Sequence, residues 1–151
     1  MKSIVFFDLE TDTQGKKVLD MGATNDRGGQ FHSNDMAGFS KFLQDAEYLC
    51  GHNVFEHDFK YVKSAILQSP VRKFIDTLYL SPLLFPLKPH QKIWKEYKII
   101  SEDEQNNPYL DSVLARKLLD EEVSIFNKLD NRLKSIYYAL LYDKREFKDF
   151  F

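Results

Sequence analysis

From Ser3 to Asp8 the chain reads SIVFFD, a short β-branched and aromatic run that predicts a buried strand. Asp12 to Gly15 predicts a turn. Val18 to Ala23 and Gln30 to His32 predict the next two strands, joined through Gly28 and Gly29, so the first three strands form an antiparallel meander. Phe39, Phe42, Leu43 and Ala46 then fall at helical spacing behind the capping residues Ser33, Asn34 and Asp35, which predicts a helix over Asp35 to Ala46. Tyr48 to Gly51 predicts a fourth strand, and Phe55, Phe59, Val62 and Ile66 mark a second helix. Phe74 and Ile75 lead a fifth strand, Leu78 to Leu84 a short helix, and Ile93 to Tyr97 a further helical turn or two. Asn107-Pro108 opens a helix, because proline suits the first helical position, and Leu110, Leu114 and Leu118 lie on one stripe of it. Phe126, Leu129, Leu133, Ile136, Tyr137 and Leu140 make Val123 to Leu141 helical by pattern and should bury against the domain or a neighbour. The order βββαβαβ followed by helices predicts an α/β domain with a mixed five-stranded sheet flanked by helices. Residues 1–122 form its body, and residues 123–151 a helical extension of the same domain that can lead into a further one.

Composition narrows the class. A length of 151 residues fits one domain that buries a core without disulfides or a structural metal. With 43% hydrophobic and 29% charged residues, a disordered tail and a low-complexity linker are excluded. The best apolar run, Leu78 to Leu87, is too short to span a bilayer and is broken by prolines, so no membrane partner is expected. The N-terminus carries Asp8 and Glu10 and no small-residue cleavage site, unlike a signal peptide. A single cysteine, Cys50, excludes a disulfide framework and a cysteine-rich zinc site, and suits the cytoplasm. A net charge of −2 excludes a scaffold that coats nucleic acid through a global basic surface. It leaves open a nucleic-acid enzyme that recruits metal ions to an acidic site.

Such a site begins in the first strand. In FFDLET, side chains alternate, so Asp8 and Glu10 share one face and Phe7 and Leu9 the other. Two positions along a strand separate backbones by ~7 Å, close enough for both carboxylates to converge on one cation. Burying two carboxylates beside an apolar strand is costly unless they gain a partner. Oxygen-only ligands favour a hard divalent ion such as Mg²⁺ or Mn²⁺. The plainer alternative is a pair of solvated acids at a strand end.

FFDLET resembles the first motif of the DEDD (DnaQ-like) 3′–5′ exonucleases, which have an RNase H-like fold. Further stretches match in order: Gly51-His52-Asn53-Val54-Phe55-Glu56-His57-Asp58, with one residue more before its aspartate than the family's second motif has; Phe74 to Leu80, similar to an IDTL segment; and Asn106 to Val113, with Asp111 as the fourth carboxylate. The resemblance covers roughly the first 120 residues. It implies that Asp8, Glu10, Asp58 and Asp111 hold two divalent cations, Mg²⁺ or Mn²⁺, which bridge the scissile phosphate of a single-stranded 3′ end. Thr11 and nearby backbone N–H groups would contact the terminal nucleotide, Asn53 would support a metal ligand or touch substrate, and Phe55 or Tyr109 would offer a stacking ring. A narrower similarity, to exonuclease-like domains fused ahead of RecQ-family helicase cores in bacteria, implies a helicase core as partner.

One departure bears on activity. The family places a general base five residues before its last aspartate (His) or four before it (Tyr); here Asn106 and Asn107 stand there, and neither amide takes a proton from water. A positioned base is worth ~10²–10⁴ in rate. Either His90 or His57 substitutes, or an insertion over Ser101 to Asn107 shifts the spacing, or the domain keeps substrate binding with weak or no catalysis. In the last case it is a nucleic-acid-binding or docking module. Asp58 borders the buried face between Phe55 and Val62, and Asp111 lies among Leu110, Leu114 and Leu118, where an acid needs a partner or a metal. A lone acid near a helix start also stabilises the helix dipole, which is the ordinary explanation for Asp111.

Overall fold

The computed structural model describes residues 3–66, 72–87 and 106–151. Strand β1 (Ile4–Thr11) lies at the centre of a five-stranded sheet of order β3-β2-β1-β4-β5, with β2 (Val18–Asn25), β3 (Gln30–Ser33), β4 (Tyr48–Gly51) and β5 (Lys73–Asp76). The first three strands pair antiparallel, as their short connections require, and β4 and β5 add in parallel on the other side of β1. The mixed five-stranded sheet flanked by helices is thus observed. β1 runs three residues past the predicted end, so Glu10 and Thr11 are strand residues, with an irregularity in register between them.

Side-chain alternation along β1 divides the core between two layers. Val5, Phe7 and Leu9 pack with Met21, Ala23 and Leu49 on one face, beneath α1 (Met36–Leu43) and α2 (Phe59–Ile66). Phe6 packs with Tyr48, Cys50 and Ile75 on the other, beneath α3 (Thr77–Leu84) and α4 (Pro108–Lys128). Asp8 and Glu10 continue the Phe6 face and so point into the α4 layer. Asp35 caps α1 through the backbone N–H groups of Ala37 and Gly38, and α1 ends at Leu43, short of the predicted Ala46. Asn107 caps α4 and Pro108 occupies its first turn, as expected.

Two expectations about the helices are corrected. The stripe of α4 that meets the sheet is Ser112, Ala115, Leu119 and Glu122, whereas Leu110, Leu114 and Leu118 flank it half-buried. At its N-terminal end, where the helix lies close on the sheet, the inner positions are the small Ser112 and Ala115. The predicted helix over Val123 to Leu141 is broken: α4 ends at Lys128, Leu129 is extended, and Asp130 caps a new helix, α5 (Asn131–Leu141). The break interrupts the apolar stripe. Phe126, Leu129 and Leu133 are partly covered, while Ile136 and Leu140 are 44% and 63% exposed. Phe147 and Phe150 fold back on the second core, and Phe150 and Phe151 meet the Phe126 ring edge-on. The helical turn expected at Ile93 to Tyr97 lies outside the described residues. Among the described residues no helix is long and apolar enough to cross a membrane.

Candidate metal centre

The C-terminal half of β1 is where the layers open. β4 pairs with β1 only as far as Phe6, which leaves the β4-side edge of the strand free beyond it. On the other side Asp8 stands opposite Gly22 of β2. Gly22 is where α4 begins to touch the sheet: a Cβ built there would lie 1.9 Å from the Tyr109 backbone nitrogen. With hydrogen alone at this position, the first turn of α4 rests on the sheet and carries Asp111 to the acids of β1. The oxygens of Asp8, Glu10 and Asp111 come within 4.8 Å of one another, and all three residues are half-buried. Three convergent carboxylates supply the all-oxygen donor set that a hard divalent cation requires, and the group could bind such an ion.

Asp58 is not in that group of three. It reaches the free edge of β1 from the opposite layer, carried there by the turn that follows Asn53. Asn53 takes a left-handed backbone, φ 71°, and Val54–Asp58 form a π turn in which the Phe59 N–H donates to the Val54 carbonyl five residues back. A π turn absorbs one residue more than an α turn, and such turns gather at functional sites. Asp58 is consequently turned inward, 1% exposed, beside fully buried Val54 and Val62. Its Oδ1 lies 3.0 Å from His57 Nδ1, and its Oδ2 is buried with no hydrogen-bond partner among the described residues.

Burial pushes the Asp58 carboxyl up to about 6, helped by the negative charge of Asp76 and opposed by His57 and the Leu9 backbone N–H. The hydrogen bond to Asp58 raises the His57 ring, burial opposes it, and Glu10 adds a smaller upward pull. His57 is half-buried and tied to Asp58.

Thr11 ends β1 next to the register irregularity, half-buried. Phe55 lies within an aromatic group with Phe74 and Tyr79, and the guanidinium of Arg145 sits 4.9 Å from its ring centre. Arg145 also pairs with Glu56 at 3.3 Å, so a tail residue covers the ring expected to stack on a base. Tyr109 lies alongside His32, whose Nε2 is 2.7 Å from Asp20. His52 packs behind the site, with Nδ1 2.8 Å from the Thr77 hydroxyl. Asn106 is exposed in a turn just before α4. His90 falls outside the described residues.

Sequence reasoning passed over Asp76. This residue is fully buried, and its carboxylate accepts from the backbone N–H groups of Asn53, Phe55 and Leu78 at 2.8, 3.1 and 3.0 Å. Only its place between an apolar strand and a helix start hinted at a role, and helix capping sufficed to explain it there. Buried Glu122, which accepts from the Ser81 hydroxyl at 2.7 Å, was hidden among the charges of α4. The chain matches no family model and no curated protein, so the reading of this site rests on its own geometry.

Proposed function

We propose that this protein is a metal-dependent 3′–5′ exonuclease that removes nucleotides from single-stranded nucleic acid, DNA before RNA. The observation that carries the reading is the convergence of Asp8, Glu10 and Asp111, drawn from a strand and a helix about a hundred residues apart in sequence, at an open strand end. Asp8, Glu10 and Asp111 would hold divalent cations, Mg²⁺ or Mn²⁺, with Asp58 completing the set from the opposite layer. Such ions, when bound, acidify water and stabilise charge on the attacking and leaving oxygens of a phosphodiester. The chain's own residues orient the substrate: Thr11 and Asn53 hold the terminal nucleotide at the strand end, and Phe55 offers a ring once Arg145 moves aside.

A neutral amide at Asn106 gives slow turnover, because the water loses its proton without a side-chain acceptor there. His57 is the described histidine that interacts with both Asp58 and Glu10, and is the substitute acceptor to test. A second reading, a nucleic-acid-binding or docking module beside a helicase core, is favoured by the neutral, exposed Asn106. Release of mononucleotides from 3′-labelled single-stranded DNA in Mn²⁺ separates the two. Cleavage lost in Asp8→Ala supports the enzyme. No cleavage by either the unsubstituted chain or Asn106→His leaves the binding module.

A further inference from the structure

The geometry points to Asp76 and Thr77 as positioning residues that aim Asp58 and Asn53 at the β1 carboxylates by gripping the backbone of residues 51–55. This role deepens the reading above and rests on it. One Asp76 oxygen accepts from the Asn53 N–H at 2.8 Å, and the other from the Phe55 N–H at 3.1 Å. These bonds straddle the left-handed Asn53 and the first residues of the π turn. Asparagine adopts positive φ more readily than most residues, and the buried carboxylate that accepts from the N–H groups of residues 53 and 55 holds it there. Thr77 completes the grip by donating to the Gly51 carbonyl at 3.2 Å and contacting the His52 ring.

The expense of this arrangement argues for a use beyond the loop. Asp76 caps α3 through the Leu78 N–H, and a half-exposed serine or asparagine caps helices equally well. A fully buried carboxylate is instead engaged by three backbone N–H groups, two of them in the segment that leads to Asp58. Asp76 acts through the backbone, by fixing where the π turn begins. The inward turn of Asp58 follows from that start.

Mn²⁺ titrated into the full chain, with bound ions counted by electron paramagnetic resonance and affinities taken by calorimetry, tests the role. The unsubstituted protein should take up two ions. Asp76→Asn should keep the tighter ion of Asp8, Glu10 and Asp111 and weaken the other by about 10- to 100-fold, the range for lost support of a ligand. Asp58→Asn should do the same, and Asp58→Asn/Asp76→Asn should be no worse than Asp58→Asn alone. Asp76→Asn that binds both ions like the parent, or losses that add in the double variant, would overturn the positioning role while leaving the metal centre intact. An unsubstituted chain that takes up fewer than two ions would overturn the two-ion reading itself, and the role of Asp76 with it. If circular dichroism shows Asp76→Asn unfolded, Thr77→Val, similar in shape, decides. A weaker second ion with an unchanged first supports the grip, and two unchanged ions overturn it.

Discussion

At the scale of single residues, Asp58 is where burial and charge conflict most. Its ordinary value is 3.8 and its folded value about 6. Below 3.8 both states carry the proton and there is no penalty. Between these values the unfolded chain ionises while the folded chain resists, so stability is lost as pH rises toward 6. The full penalty is on the order of 3 kcal/mol. The raised His57 adds loss of the same sign as pH climbs through its folded value. Metal-free protein should therefore melt highest in acid, fall through pH 4 to 6 with Asp58, and fall further above pH 6.5 with His57 in calorimetric scans. Asp58→Asn should flatten that fall and raise the melting temperature at pH 7. Mg²⁺ should stabilise the unsubstituted protein more at pH 7.5 than at pH 5, because only ionised carboxylates bind it. Asn106→His addresses the other residue-level question. The new imidazole stands in the turn that leads into α4, five residues before Asp111. It should raise the cleavage rate by about tenfold or more, within the span of a placed base, and lower the pH at which the rate rises. An unchanged rate and pH profile would mean that position 106 does not reach the attacking water.

At the scale of elements, the contact between β2 and α4 assembles the candidate site. Asp111 meets Asp8 because Gly22, Ser112 and Ala115 are small enough to let helix and strand approach. Gly22→Ala should lift the start of α4 off the sheet. The expected cost is about 1–3 kcal/mol from overpacking, with a loss of Mn²⁺ affinity of about tenfold or more as Asp111 withdraws. Calorimetry of unfolding and of metal binding checks both. Asp111→Asn makes the matching control: it should lose the metal with little loss of stability, since Asn107 still caps the helix. The π turn is the second such device, because it turns the Asp58 carboxylate inward ahead of α2.

At the scale of the whole molecule, the tail after α5 joins the second core to the edge of the sheet. Asp149 accepts from the Phe74 N–H of edge strand β5 at 2.8 Å, Phe147 meets Tyr79 edge-on, and Phe150 and Phe151 close over Phe126. Edge strands need such cover, because an exposed row of backbone groups invites pairing with another chain. Phe150→Ala should cost about 2 kcal/mol, less than the 3–5 of a fully buried ring, and denaturant titration measures it. Arg145→Ala uncovers Phe55 and removes the pair with Glu56. It should cost well under 1 kcal/mol of stability, as exposed pairs do. Tighter binding of a short single-stranded oligonucleotide by Arg145→Ala would identify Arg145 as a competitor for the ring. Weaker binding would identify it as a phosphate contact.

The strands and their meander were legible in the chain itself, because alternation and turn residues act over a few positions and need no distant partner. Tyr48 to Gly51, the Asn107-Pro108 start of α4 and the shared face of Asp8 and Glu10 were of this kind. The inner stripe of α4 was not legible. Leu110, Leu114 and Leu118 outweigh Ser112 and Ala115 in any apolar pattern, and only the closeness of the sheet selects small residues at those two positions. The break at Leu129 and Asp130 was hidden because an apolar residue and a capping aspartate both fit a continuing helical period. The sequence by itself therefore determined the strands, the start of α4 and the acids that could meet. The tertiary structure alone decided that three of them do meet, that Asp58 arrives through a π turn from the other layer, and that Asp76 sets that turn. These are relations between segments far apart in the chain, fixed by how closely backbones pack and where buried charge finds its donors.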